Sequence, residues 1–245
     1  MAIQKTEAIV LRTLDFRETS LIVNFFTKDF GKISGLIKGI RNNPQRYGGL
    51  PLSFSQNAIV FYEKPHAELN LVTQCDAQDQ FLSIRQNLTK TNFAHYFIEL
   101  LDAVTFDFDK NEALFSLITD SLQALAQDRA LEQIARTFEI KLLKLSGFKP
   151  RLDTCVHCQK DIVEAARFSS LLGGMLCAYC FTQDRTARGM LKGTLASIDY
   201  IEKANWQKAL ALKLSANIAS ELKITLSRFL NIHLEKEIKS QKFLN

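Results

Sequence analysis

From His66 to Ser146 this chain has neither glycine nor proline, and from Thr194 to its last residue it again has none. Both residues disfavour helix interiors, so these two stretches are where long helices can sit. The punctuation lies elsewhere. Gly31, Gly35, Gly39, Pro44, Gly48, Gly49, Pro51 and Pro65 crowd one N-terminal stretch, and Gly147, Pro150, Gly173, Gly174, Gly189 and Gly193 mark a second. A chain divided in this way is expected to place one turn-rich module first and a second one between helices.

Hydrophobic periodicity agrees. Residues 3–13, 19–27, 32–38, 58–62 and 67–73 are short runs rich in Ile, Val, Leu, Phe and Thr, separated by turn chemistry. Lys28-Asp29-Phe30-Gly31 reads as a hairpin turn, and Lys64-Pro65-His66 as another. Five short strands with glycines where a sheet must bend suit a small barrel of the OB type. Helical spacing then takes over. Phe93, Phe97, Leu100, Leu101 and Val104 share one face, as do Leu114, Leu117, Ile118, Leu122 and Leu125. Leu131, Ile134, Phe138, Leu142 and Leu145 form a third stripe that stops at Gly147 and Pro150. Leu214, Ile218, Leu222, Leu226 and Phe229 form a fourth. The expected fold class is α+β: an OB-fold barrel at 1–80, a helical domain at 81–147 and 191–245, and a zinc-ribbon-like module at 148–190.

The strongest chemical signal is Cys155-Val156-His157-Cys158 followed, after 18 residues, by Cys177-Ala178-Tyr179-Cys180. Two C-x2-C pairs at this separation have the spacing of a four-thiolate zinc site. Four thiolates close a tetrahedron and leave no position for water, which points to one structural Zn2+ rather than catalysis. The alternative, a redox-active pair, needs one C-x-x-C beside a βαβ unit. His157 lies inside the first knuckle, where four thiols are already present. Cys75 stands alone in a strand-like segment and is expected to be a small buried hydrophobe.

Composition narrows the class. With 47% apolar and 23% charged residues the chain can build a core, which excludes disorder, and five cysteines are too few for a disulfide scaffold. The start carries charges where a signal peptide needs its apolar run, and no run reaches the length of a membrane span, so a cytoplasmic protein is expected. Motifs of nucleotide-binding loops, zinc proteases, serine hydrolases and zinc deaminases are absent. His66, His95, His157 and His233 are scattered, and Asp107-Phe108-Asp109 reads as a solvated helix cap rather than an acid–base pair. No enzyme is expected.

The net charge of +5 equals that of the last 43 residues, with eight basic and three acidic side chains. That excess reads as a solvated helical face. A more local feature lies earlier, because no acid occurs between Phe30 and Tyr62 although Lys32, Lys38, Arg41 and Arg46 do, with Tyr47 beside them. On a barrel this gives a positive surface for phosphates and an aromatic on which a base can stack. The competing reading is a solvated loop that simply lacks acids.

These residues carry a resemblance. Glu18-Thr19-Ser20-Leu21-Ile22-Val23, Phe26-Thr27, Gly31-Lys32-Ile33-Ser34, Lys38-Gly39-Ile40-Arg41 and Pro51-Leu52-Ser53 resemble the N-terminal signature of the bacterial RecO family of recombination mediators. Gly147-Phe148-Lys149-Pro150-Arg151-Leu152, Phe168-Ser169, Gly173-Gly174 and the cysteine pairs resemble its zinc-bearing version, in order along nearly the whole chain. The resemblance implies an OB-fold and a helical body with a zinc module. It implies binding of single- and double-stranded DNA, annealing without a nucleotide, and contacts with RecR and the acidic tail of single-strand binding protein. It further implies help in loading RecA. The family's loop is usually richer in Lys and Arg, whereas here Asn42-Asn43-Pro44-Gln45 follow Arg41, so its DNA role carries over to Lys38 and Arg41. Two further readings are an adaptor that mainly holds proteins and a zinc-dependent hydrolase or redox enzyme; the closed site and missing general base disfavour the last.

Overall fold

In the computed structural model, residues 2–63, 69–127, 130–162, 166–234 and 236–244 are described. The chain divides into two compact units, Met1–Leu131 with Lys239–Asn245, and Glu132–Ile238.

The first unit begins with β1 (Ala2–Phe16), β2 (Ser20–Thr27), β3 (Gly31–Ile37), β4 (Gln56–Glu63) and β5 (Asn70–Asp79), closed in the order β1-β2-β3-β5-β4. β1 is long enough to serve two neighbours. Its first half pairs with β4 from Ala2↔Glu63 to Ile9↔Gln56, and its second half with β2 from Ala8↔Thr27 to Phe16↔Ser20. β3 and β5 run parallel, which completes an OB-type barrel. Alternating inward residues fill it, among them Val10, Val23, Phe25, Ile33, Ile59, Phe61 and Val72. Cys75 is buried among them as expected, and its thiol is pushed up to about 12 by burial and then by the neighbouring Asp76.

The last strand starts at Asn70 rather than at 67, and the turn Lys64-Pro65-His66 lies outside the described residues. The turn before Gly31 forms as expected, with the Thr27 hydroxyl accepting from the Phe30 amide at 3.0 Å and donating to the Gly31 carbonyl at 2.8 Å.

Helices α1 (Leu82–Arg85), α2 (Leu88–Val104) and α3 (Glu112–Ala126) follow. Their buried faces are the predicted stripes, and Asn87 and Asn111 cap α2 and α3 through the amides of Lys90 and Leu114. Asp107-Phe108-Asp109 is therefore not the cap. The segment lies against the barrel instead, with the Phe108 amide donating to the Lys32 carbonyl at 3.0 Å. The Phe26 ring stands 6.3 Å from Phe115, and Phe54 lies between His95 and the Arg85 guanidinium, so the barrel's outer face continues into the helical layer. The C-terminal segment returns to this unit, where Glu99 accepts from the amides of Lys239 and Ser240.

In the second unit, α4 (Leu131–Leu145) is buried from Ile134 through Ile140, including Arg136 and Glu139, which pair at 2.8 Å. It stops at Gly147 and Pro150 as predicted. A hairpin of β6 (Ala166–Ser169) and β7 (Gly174–Cys177) precedes α5 (Lys192–Lys203), α6 (Trp206–Leu210) and α7 (Ala216–His233). α7 begins after its Ser215 cap, so Leu214 precedes the helix, while Leu222, Leu226 and Phe229 are buried. The cations of the last 43 residues lie on α5, α6, the α6–α7 linker, α7 and the terminal segment rather than along one helix. No described helix is long and apolar enough to cross a membrane.

Gly31 has φ +66°, and a Cβ there would stand 2.3 Å from the Asp109 carbonyl oxygen; Gly39 has φ +70° with nothing within 4 Å. Gly31→Ala is expected to destabilise by about 2–4 kcal/mol and Gly39→Ala by about 1–2 kcal/mol. Urea midpoints of the two variants check the order.

Candidate metal centre and nucleic-acid interface

The four cysteines converge because a short strand-like segment lies along β7. The Arg151 amide donates to Gly173 at 3.0 Å, the Met175 amide to Arg151 at 2.9 Å and the Val156 amide to Met175 at 2.8 Å. Only glycine fits at 174, since a Cβ would stand 2.2 Å from the Arg151 carbonyl oxygen. Cys155 and Cys158 are thereby set beside Cys177 at the end of β7, and the Cys180 amide curls back to the Cys177 carbonyl at 2.9 Å.

All four Sγ atoms lie within 4.8 Å of one another, and Cys158 and Cys177 are 3.7 Å apart. Two thiolates on one tetrahedral zinc at about 2.3 Å per bond stand about 3.8 Å apart, so the donor set fits that ion. Burial opposes ionisation of Cys155, but the amides of Cys158, Cys177 and His157 outweigh it and bring the thiol down to about 6. Cys180 is pushed up to about 12 by burial and by its sulfur neighbours. His157 is exposed and lies outside the cluster among the described residues.

Leu176, Ala187, Val156, Ile162 and Phe181 supply the module's small apolar support. Asp184 adds a polar tie. Its carboxylate accepts from the Ser169 hydroxyl at 2.6 Å and from the Thr186 amide and hydroxyl at 2.8 and 2.7 Å. The Ser169 bond first, then those from Thr186 and the charge of Arg228, hold its carboxyl below the usual range against the effect of burial.

The residues expected to touch DNA fall into two groups. Lys38, Arg41 and Arg46 are exposed on the loop after β3. That loop is tied to the β1–β2 turn by the Arg41 amide, which donates to the Thr19 carbonyl at 3.0 Å. The Arg41 guanidinium also approaches Asp15 at 3.4 Å. Lys32 needs correction as a phosphate contact, since its side chain is only 12% exposed and its ammonium binds Asp102 at 2.9 Å. Tyr47 needs the same correction. It is 7% exposed within the barrel core, and its hydroxyl donates to the Lys38 carbonyl at 3.0 Å. A ring so covered has no face for a base, and it holds the loop instead. Arg17 is a residue that sequence reasoning missed. It is exposed in the β1–β2 turn, at the same barrel end, because Phe16 pairs with Ser20 and Leu21 with Ile37. Hairpin register would have found it.

The chain is similar along its length to known proteins. The family model for the Recombination protein O N terminal matches residues 1–81, and that for the Recombination protein O C terminal matches residues 85–242. Relatives named DNA repair protein RecO include one from Pelotomaculum thermopropionicum, 32% identical over 100% of this chain and 94% of its own. Another, from Syntrophus aciditrophicus, is 31% identical over 100% of this chain and 96% of its own. A third, from Symbiobacterium thermophilum, is 30% identical over 100% and 98%.

The lowered pKa of Asp184 gives a signed expectation. A depressed carboxyl stabilises the folded state above the ordinary carboxylate range, and that contribution is lost as pH falls through the folded value. Asp184→Asn is expected to cost about 1–3 kcal/mol at neutral pH, with the difference from the parent shrinking in acid. Denaturant titrations across pH check both.

Proposed function

The chain belongs to the RecO family, and from that premise we propose that it is a non-enzymatic mediator of DNA repair and homologous recombination that binds single- and double-stranded DNA and anneals complementary strands. Its family sets the repair and recombination role. The observation that carries the finer reading is the acid-free run between Phe30 and Tyr62, from which Lys38, Arg41 and Arg46 project on one OB-type barrel loop.

The mechanism is electrostatic. Guanidinium and ammonium groups replace counterions along the phosphates, and their release drives binding that weakens with salt. With both strands neutralised, their mutual repulsion falls and base pairing proceeds without a nucleotide. The Tyr47 hydroxyl holds the Lys38 carbonyl, so Tyr47 positions the loop rather than touches the strand, while Lys32 ties its own strand to α2 through Asp102. RecR, the tail of single-strand binding protein and, through them, RecA are the partners proposed from family membership. The protein acts in the cytoplasm at the nucleoid. In the same proposal residues 1–80 are the DNA-binding domain, residues 148–190 the zinc module, and residues 81–147 and 191–245 the helical domain.

Cys155, Cys158, Cys177 and Cys180 hold one structural zinc in this reading. Their closed four-sulfur set leaves no position for substrate, which supports a folding role.

Elemental analysis of the purified chain is expected to find about one zinc per molecule, and Cys158→Ser or Cys177→Ser to lose it together with protection of residues 150–190 from protease. A metal-free preparation with four freely titratable thiols would overturn the zinc assignment. Lys38→Glu/Arg41→Glu is expected to weaken single-stranded DNA binding and lower the salt slope by about 1–2. Unchanged anisotropy curves would remove the loop from the mechanism. The role as a whole is tested by strand annealing without nucleotide, in the presence and absence of single-strand binding protein.

A further inference from the structure

A cleft of about 460 Å3 opens in the second unit between β6, the segment after the second knuckle and one face of α7. Two arginines line it from different elements. Arg188 is placed by its backbone, which exchanges hydrogen bonds with Phe168 of β6 at 3.0 and 2.7 Å. Arg228 comes from α7, and its Nη2 donates to the Thr186 hydroxyl at 2.9 Å, which sets it against the segment that carries Arg185 and Arg188. The same face of α7 adds Asn217, Ser220 and Thr225 at helical spacing, and Ile224 gives the cleft an exposed apolar wall.

The segment after the second knuckle is locally basic. Residues 185–198 carry Arg185, Arg188 and Lys192 and no carboxylate. Asp184, just before them, is buried and bound to Ser169 and Thr186. Glu221 is the carboxylate in the cleft, and its Oε2 is occupied by the Leu191 amide and the Thr194 hydroxyl. Guanidinium groups beside hydroxyl and amide groups and an apolar wall match the parts of a nucleotide: phosphate, base edge, and sugar or base face. Three exposed cations in succession, Arg185, Arg188 and Lys192, suit the repeating charge of a phosphate backbone. On the same module Tyr179 is 94% exposed between Cys177 and Cys180.

We propose that this cleft is a second nucleic-acid contact, in which Arg188 and Arg228 bind phosphates of a single strand with Arg185 beside them. The proposal rests on the annealing reading, because joining two strands requires nucleic acid to be held at more than one place, and this cleft belongs to the other unit from the barrel loop. The four-cysteine module then acquires a role beyond its own stability, because it adjoins the hairpin and the segment that present Arg185 and Arg188.

The test uses the full chain with Arg185→Glu/Arg188→Glu, both exposed positions, and a separate Ser220→Glu variant from the opposite wall. Zinc content and circular dichroism are measured first. If the double reversal disturbs either, Arg185→Gln/Arg188→Gln is read in its place. For a labelled single-stranded oligonucleotide the salt slope is expected to fall by about 0.7 for the lost phosphate contact of Arg188, and the affinity by about fivefold. Annealing should slow in parallel. Unchanged slope and affinity would overturn the proposal. So would loss of binding to a labelled acidic peptide with DNA binding intact, which would make the cleft a peptide site. If the parent protein does not anneal but the slope still falls, the cleft stands as a DNA contact and the annealing role falls separately.

Discussion

Four sulfur atoms within 4.8 Å of one another cannot all be charged without strong mutual repulsion. Backbone amides bring Cys155 down to about 6, whereas burial and then the neighbouring sulfurs drive Cys180 up to about 12. Charge placed on one thiolate makes the next harder to form. A bound divalent cation removes the conflict, because each thiolate then adds attraction where it had added repulsion. The module also rests on a four-residue hairpin pair, a small apolar cluster that includes the cysteines, the Asp184 tie to Ser169, and the contacts of Phe168 and Ser170 with Phe229 and His233 of α7. Arg188 is positioned by these together.

In the barrel, constraint comes from closure. β1 pairs with β4 and then with β2, and the parallel β3–β5 contact completes the ring, so the loops at one end are brought together by register and then joined by the Arg41–Thr19 bond. Tyr47 illustrates the cost of that arrangement for sequence reading. An aromatic next to Arg46 in an acid-free loop has the pattern of a stacking platform, yet the loop turns through Pro44–Tyr47 and drops the ring into the core. Its polar end then anchors the Lys38 carbonyl. Lys32 follows the same logic, since a cation on a barrel strand meets whatever packs against that face, here Asp102 of α2.

Local patterns were legible where the physics is local. The glycine- and proline-free stretches became α2, α3, α4 and α7, the alternating runs became the barrel strands, and the cysteine spacing named a cluster that the fold brings together. What escaped depends on residues distant in sequence. Asn111 rather than Asp107 or Asp109 caps α3, because the aspartate segment is drawn against Gly31 and Lys32, some 75 positions earlier. Arg17 joins the loop of Lys38 through strand pairing and the Arg41–Thr19 bond. The α7 cleft needs Arg188 and Arg228, 40 positions apart, and no periodicity links them.

Net charge misleads for the same reason. The terminal excess of +5 suggests a basic surface, but several of its cations are engaged locally: Lys203 with Asp199 at 2.6 Å and Lys223 with Glu132 at 3.0 Å. Each such pair is nearly neutral from a Debye length away. Residues 151–202 are neutral by count, yet their charges are unevenly placed: Asp184 is buried and Glu202 is bound to Lys149 at 2.9 Å, whereas Arg185 and Arg188 face solvent on one segment. A phosphate backbone responds to exposed, unneutralised cations within its reach, so the surface available to DNA is set by which carboxylates the fold has already occupied rather than by the sum of charges.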